Sequence, residues 1–209
     1  MGQIRTAIIE AMLAAIPVAI VYFAGWAYLT SYLGKFGIDA TELDINFTTI
    51  LVYGFIPLST VPSVVSLVVL VILASALVRS LSGEVKVGWV GRILKWAELG
   101  ILLLFLVAAL FLIKGQAQVE AKRMASLVWE GQKSQTVPNL SISNNSEKLL
   151  KYFDRCRDGR RFRQVIGLPD RMIVICRSDL TPTQRGTIFV VDKGGVVFYT
   201  ADKLRGDLT

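Results

Sequence analysis

The chain of 209 residues contains no histidine and only two cysteines. Histidine is the commonest general base and the commonest metal ligand, so its absence removes the usual basis for acid–base catalysis and for many metal sites. The cysteines, Cys156 and Cys176, form no CxxC pair, whereas structural zinc sites use four Cys or His ligands. We therefore expect no metal site and no cofactor.

Charged residues are scarce in the first half of the chain. Residues 1–114 hold 7 Lys or Arg and 6 Asp or Glu, whereas residues 115–209 hold 16 and 10. Overall 19% of residues are charged and 53% are hydrophobic, against about 25% and about 45–50% in soluble domains. This composition predicts a transmembrane domain at 1–114 and a soluble domain at 115–209.

Two long runs of the first half carry no charge. The first, residues 11–34, would form a helix about 36 Å long against a hydrocarbon core of about 30 Å, which predicts a span at 11–33. A weak positive region (Arg5, then Glu10) and the lack of an Ala-x-Ala site favour a retained helix over a signal peptide. The second run, 45–78, is too long for one upright span and too short for two.

Pro57 and Pro62 lie inside the second run, where each removes a helical N–H group. We therefore predict an interfacial amphipathic helix over about 41–56, capped by Thr41, and a span over about 61–78. A tight re-entrant hairpin, which would give four crossings in all, is the alternative.

A third span is predicted over residues 96–113, which are almost continuously apolar. Three ionisable residues mark the membrane edges, namely Glu10, Lys95 and Glu98. The simplest interpretation places them at headgroup depth. The alternative is an intramembrane carboxylate on an ion path.

Basic residues are unequally divided between the predicted loops. The loop between the first two spans holds only Lys35. Because Lys and Arg favour the cytoplasmic side, the bias predicts a cytoplasmic N-terminus and, after three crossings, a C-terminal domain outside the cytoplasm. Basic residues just after the third span favour the opposite orientation. The basic residues between the second and third spans are Arg79, Lys86, Arg92 and Lys95.

Residues 115–209 predict a small α+β domain. The pattern indicates a stalk helix at 115–133, a short helix at 147–156 and four short strands, the last two joined by a hairpin turn at Asp192-Lys193-Gly194-Gly195. Cys156 and Cys176 would form a disulfide in an oxidising compartment, and two buried free thiols are the alternative.

Five arginines lie within nine residues, RCRDGRRFR. Guanidinium groups bind phosphates and carboxylates through two parallel hydrogen bonds, so an anionic ligand is one interpretation. A basic turn facing solvent or headgroups, and a contact with a partner, are the others. No helix-turn-helix or Gly-rich phosphate loop accompanies them, so we expect no DNA binding. The arginines are Arg155, Arg157, Arg160, Arg161 and Arg163.

Catalytic groups are not evident. The carboxylates Asp170, Asp179 and Asp192 have no spacing that would pair them, and the many serines and threonines lack a histidine partner. We therefore predict that the protein is not an enzyme.

Residues 25–44, GWAYLTSYLGKFGIDATELD, resemble the N-terminal pattern of small bacterial polytopic membrane proteins, in which a first span ends in aromatic residues before FGI and an EL pair. Proteins of this general build occur in antiphage defence systems. One type is a CRISPR-associated membrane effector that binds cyclic oligoadenylate through a basic cytoplasmic domain, and another is the membrane component of two-protein systems. Likeness of build does not transfer function.

Two functions are therefore expected. The first is an oligomeric sensor or scaffold of the bacterial inner membrane, whose partners are the bilayer, further copies of itself and a second protein. The second is a ligand-gated effector, whose cytoplasmic C-terminal domain binds an anionic nucleotide messenger through the five arginines and perturbs the membrane.

Overall fold

The computed structural model describes residues 2–82, 89–132, 147–192 and 194–205. Five helices and a short 3₁₀ turn precede one four-stranded sheet, which agrees with the predicted fold class at this level of detail. In chain order the elements are α1 (Gly2–Gly34), the 3₁₀ turn (Ala40–Glu42), α2 (Phe47–Leu58), α3 (Val61–Ser82), α4 (Trp89–Glu130), α5 (Glu147–Asp158), β1 (Phe162–Gly167), β2 (Arg171–Arg177), β3 (Arg185–Asp192) and β4 (Val197–Leu204).

The chain divides into two compact units. The helical unit comprises Met1–Tyr28 and Asn46–Glu120, and the sheet unit comprises Leu29–Ile45 and Ala121–Thr209. This division differs from the predicted boundary after residue 114, because the segment after the first predicted span joins the C-terminal sheet.

Two helical stretches in the described ranges are long and apolar enough to cross a membrane, Ala15–Gly34 in α1 and Gly100–Glu130 in α4. The helices α2 and α3 are apolar and long enough only when taken together, and they are bent by 98° at the break between them, as in a broken span, which would be a third crossing, or a re-entrant loop. The chain breaks at Ser59 and Thr60, between the two prolines, as predicted.

The helix predicted over 41–56 begins later than expected, so its predicted start was wrong. The side chain of Asp39 accepts a hydrogen bond from Thr41 N at 2.9 Å and caps only the 3₁₀ turn. The hydrogen bonds that Asp39 accepts from the backbone N–H and from the hydroxyl of Thr41 lower the pKa of Asp39. The cap of α2 is Asn46, whose Oδ1 accepts from Thr49 N at 2.7 Å.

The third predicted span and the predicted stalk are one helix. Helix α4 runs without a break for 42 residues, which corresponds to about 63 Å. Gly115 lies where we predicted the boundary, but one interior glycine costs only about 1 kcal/mol and does not end a helix. The helix stops before Gly131, whose φ of 75° is left-handed.

Helices α1 and α2 cross through two glycines. A Cβ atom on Gly25 would overlap the carbonyl oxygen of Ile50, and one on Gly54 would overlap that of Val21. Small residues permit such close approach of membrane helices. Stacked rings flank the crossing, with centroids 5.4 Å apart for Tyr22 and Phe47 and 5.9 Å apart for Tyr28 and Tyr53.

The sheet is an antiparallel meander in the order β1-β2-β3-β4. Helix α5 covers one face, where Phe153 packs with Phe162 and Phe189. The predicted hairpin is confirmed between β3 and β4, and Gly195 has a φ of 80° in its turn.

The opposite face of the sheet is buried as well. Ile173 and Ile175 alternate along β2 with residues of the α5 face and are fully buried. On β1, the carbonyl of Val165 accepts a hydrogen bond from the hydroxyl of Tyr32 at 3.1 Å. The end of α1 and its following loop are thus part of the sheet unit.

The glycine crossing gives a stability prediction. Gly25→Ala should lower the free energy of unfolding by about 1–3 kcal/mol, because the added methyl group forces the two backbones apart. Gly34→Ala, on the same helix with open space around it, should leave stability unchanged or raise it by about 0.5–1 kcal/mol. Unfolding in detergent micelles, followed by circular dichroism, measures both. Equal effects of the two variants would contradict the crossing.

Candidate functional site

The five clustered arginines span the end of α5 and the start of β1, and their side chains do not form one free surface. Three of them bind groups of the protein itself. Arg155 and Arg160 are exposed, and within the described ranges their guanidinium groups have no hydrogen-bond or ion-pair partner. The nine-residue spacing correctly located a basic segment, but it did not reveal this division.

Arg161 connects three segments. Its Nη1 lies 2.7 Å from Oδ1 of Asp179 and donates to the carbonyl of Arg177 at 3.2 Å. Its Nη2 donates to the carbonyl of Arg155 at 3.1 Å. Only 15% of the side chain is exposed, so Arg161 joins the end of α5 to the segment after β2 and is poorly placed to bind a ligand.

The C-terminus of α4 forms a Schellman motif. The N–H of Gly131 donates to the carbonyl of Val128 at 3.0 Å, and that of Gln132 donates to Leu127 at 2.9 Å. Glycine suits the left-handed position at the end of the helix. Further carbonyls at this end still need donors.

Arg163 and Arg177 supply those donors from the sheet. Nε and Nη2 of Arg163 both donate to the carbonyl of Gly131 at 3.3 Å, and Nη1 of Arg177 donates to the carbonyl of Trp129 at 3.5 Å. A helix C-terminus carries partial negative charge, so two cations stabilise it. Arg163 is therefore a helix cap, a role that the sequence analysis did not foresee.

Arg177 was missed by the sequence analysis. Its burial, and the positive charge of Arg163, lower its pKa from the usual arginine value, although arginine stays protonated in proteins. A single arginine at a strand end gives no sequence signal for a helix terminus far away in the chain.

Helix α5 ends in the same motif as α4, but with Arg160 at the left-handed position. The N–H of Arg160 donates to Arg157 and that of Arg161 donates to Cys156, both at 2.9 Å. The φ of Arg160 is 51°. Left-handed backbone costs about 1–2 kcal/mol for residues with a Cβ. Arg157 is held by Asp154 at 2.9 Å and Asp158 at 3.4 Å.

The two cysteines form a disulfide that links α5 to β2. The Cα atoms of Cys156 and Cys176 are 5.9 Å apart, and both residues are fully buried in the core between helix and sheet. This is the pair that the sequence analysis singled out, and it fixes the helix to the centre of the sheet.

A polar network on the α5 face was not predicted. The hydroxyls of Tyr152 and Thr187 are 2.9 Å apart, and that of Thr187 donates to Oδ1 of Asp202 at 2.5 Å. They line a cavity of about 420 Å³ together with Arg185 and Lys203. The network holds one carboxylate and two hydroxyls, which can bind water or a polar group.

The remaining carboxylates have structural roles. Asp179 pairs with Arg161, Oδ1 of Asp192 accepts from Val196 N at 2.7 Å in the β3–β4 turn, and Asp170 also interacts with other groups. In the part of the chain that the structure describes, no group of three or more His, Cys, Asp or Glu could hold a metal.

The predicted membrane-edge charges fall outside this description. Glu10 lies in α1, and Lys95 and Glu98 lie in α4. Their side chains are outside the described part of the structure, so their depth stays a prediction.

Comparison with protein families, with curated proteins and with solved structures gives no match for this chain. The resemblance of residues 25–44 therefore stays an expectation from the sequence, and the site is interpreted from its geometry.

The strained end of α5 gives a second prediction. Arg160→Gly should raise the free energy of unfolding by about 0.5–1 kcal/mol, because glycine adopts the left-handed backbone without strain. Arg155→Gly removes the same side chain inside the helix and should lower it by about 1 kcal/mol. Urea unfolding of the full chain in detergent measures both. If both variants are destabilised alike, the strain at Arg160 is not real.

Proposed function

We propose that this chain is a membrane-anchored sensor or scaffold of the bacterial inner membrane, with no catalytic activity, whose sheet unit lies outside the cytoplasm. The observation that carries the proposal is which two segments of the chain make up the sheet unit. The loop after the first candidate span, within Leu29–Ile45, forms one compact unit with the C-terminal sheet. A bilayer does not divide a compact unit, so the two segments share one side.

If the loop and the sheet lie on one side of the membrane, the chain between them must cross the membrane an even number of times. If α2 and α3 together cross once and α4 crosses once, this condition is met. A re-entrant hairpin with two full crossings would instead separate them. The arrangement therefore supports three crossings, with the bent pair as a single span.

Two further features support a position of the sheet unit outside the cytoplasm. The basic residues between the second and third predicted spans favour the cytoplasm for that segment, and so favour the outside for the sheet unit. The disulfide between Cys156 and Cys176 suits an oxidising compartment, since cytosolic thiols are kept reduced.

A sensing role is supported by the continuity of the helices. Helices α1 and α4 both run from the helical unit into the sheet unit without a break. A partner that binds the sheet unit would therefore act on elements that continue directly into candidate membrane spans.

The effector alternative has less support. Of the five arginines, Arg157, Arg161 and Arg163 already bind carboxylates or carbonyls of the chain. An anionic nucleotide would find only Arg155 and Arg160 without such partners in the described ranges, and these two are not held in place by other groups.

Single added cysteines test the side of the membrane in intact cells. Leu180→Cys, at a residue 92% exposed, and Glu42→Cys, in the first loop, should both react with a membrane-impermeant maleimide. The native cysteines are bonded to each other and buried, so they give no background. Val85→Cys, in the loop predicted to be cytoplasmic, is the matched control and should react only after permeabilisation.

Other labelling patterns would refute parts of the proposal. If Leu180→Cys and Glu42→Cys react from opposite sides, the loop and the sheet do not share a side. If both react only after permeabilisation, the sheet unit is cytoplasmic and the nucleotide-gated effector becomes the better hypothesis.

A further inference from the structure

The sheet has two edges, and they differ in protection. At the β1 edge, the ladder with β2 is irregular between Gln164 and Ile166, and the carbonyl of Val165 accepts a hydrogen bond from Tyr32. A bulge and a covering group are devices that natural proteins use against edge-to-edge pairing.

The β4 edge is irregular only at its start, where the register with β3 shifts between Val197 and Tyr199, and its pairing is regular from Tyr199 to Leu204. The strand Val197–Leu204 pairs with β3 on one side, and among the described residues no backbone group pairs with its other side. A regular stretch of edge strand whose N–H and C=O groups face no partner strand is a template for another strand, and here that stretch runs from Tyr199 to Leu204. Leu204 at its end is 66% exposed.

We infer that β4 pairs antiparallel with β4 of a second copy of this chain, about a two-fold axis at Ala201. This inference rests on the proposed sensor or scaffold, which the sequence analysis expects to be oligomeric, and it names the interface between the copies. Two four-stranded sheets then become one continuous eight-stranded sheet, through a self-complementary contact of the kind that two-fold dimers use.

The side chains of β4 select this register. Directly opposed residues of an antiparallel pair face the same side of the sheet, so the axis must pass through a residue position. With the axis at Asp202 or Lys203, two like charges stand directly opposite each other, which is destabilising. With the axis at Thr200, Lys203 would lie opposite Val197.

The axis at Ala201 gives favourable pairs instead. The small Ala201 meets its own copy, and Thr200 of each chain lies opposite Asp202 of the other. Thr200 and Asp202 are exposed. Oδ1 of Asp202 already accepts from Thr187, and its second oxygen can accept from the hydroxyl of Thr200 of the second copy. This complementarity favours a second copy of the chain over an unrelated strand.

Cysteine cross-linking of the purified full chain in nanodiscs tests the register. Across a two-fold axis, the Cα atoms of two Ala201→Cys residues lie about 4.5–5.5 Å apart, within the range of about 4.4–6.8 Å for disulfides. Two Thr200→Cys residues are diagonal neighbours at about 7–8 Å. With an added oxidant, Ala201→Cys should give a covalent dimer, and Thr200→Cys should give little.

A matched charge variant tests the interface without added cysteines. Thr200→Asp places like charges opposite each other at two symmetric positions and should weaken dimerisation roughly tenfold. Thr200→Asn has nearly the same shape without the charge, and should stay within about threefold of the parent chain. Single-molecule photobleaching over a range of protein-to-lipid ratios measures both, and circular dichroism checks that both variants are folded.

Several results would overturn the inference. A chain that stays monomeric at every ratio, or equal cross-linking at positions 200 and 201, would do so. An oligomer insensitive to Thr200→Asp would show that another surface associates. In whole membranes, cross-linking of Ala201→Cys to a protein of different mass would show that the edge serves another partner. Because the purified chain is oxidised directly, failure here does not bear on which side of the membrane the sheet unit occupies.

Discussion

The carbonyl groups at the C-terminus of α4 are the constraint on which the sheet unit depends. A helix end leaves its last carbonyls without intrahelical donors, and here the helix stops where the sheet begins to cover it. Gly131 turns the backbone back, and the guanidinium groups of Arg163 and Arg177 supply hydrogen bonds and positive charge. The two arginines come from neighbouring strands, so satisfying the helix end also fixes the sheet upon it.

The elements that pack against the sheet explain why a sheet of four short strands can be stable. Helix α5 and the disulfide cover one face, and the buried isoleucines of β2 show that the other face is covered too. In the sheet unit, Phe36 stacks on Trp129 with ring centroids 6.0 Å apart. A small domain of this size gains the core it lacks from the ends of the two helices that contain candidate membrane spans.

Sequence patterns correctly predicted the elements that depend on interactions between residues close together in the chain. The short helix α5, the β3–β4 hairpin and the break near Ser59 follow from apolar spacing, turn residues and proline. The start of α2 was misplaced because Thr41 and Asn46 are both good caps, and the hydrogen bond from Thr49 to Asn46 decides between them. The roles of Arg161 and Arg163 were not predicted, because both donate to backbone carbonyls, which have no signature in the sequence. The spacing shows that the cationic residues are close together in the chain, but not that carboxylates and carbonyls of the protein already bind them.

The sheet unit is discontinuous in the chain, and this orders its assembly. Leu29–Ile45 leaves the ribosome long before Ala121–Thr209, which completes its core. During that interval Phe36, which is buried against Trp129 in the finished protein, lacks this cover, and apolar side chains exposed during folding favour aggregation. Closing so long a loop also slows folding. Translation must therefore finish α4 and the strands before the first loop can pack into the sheet unit.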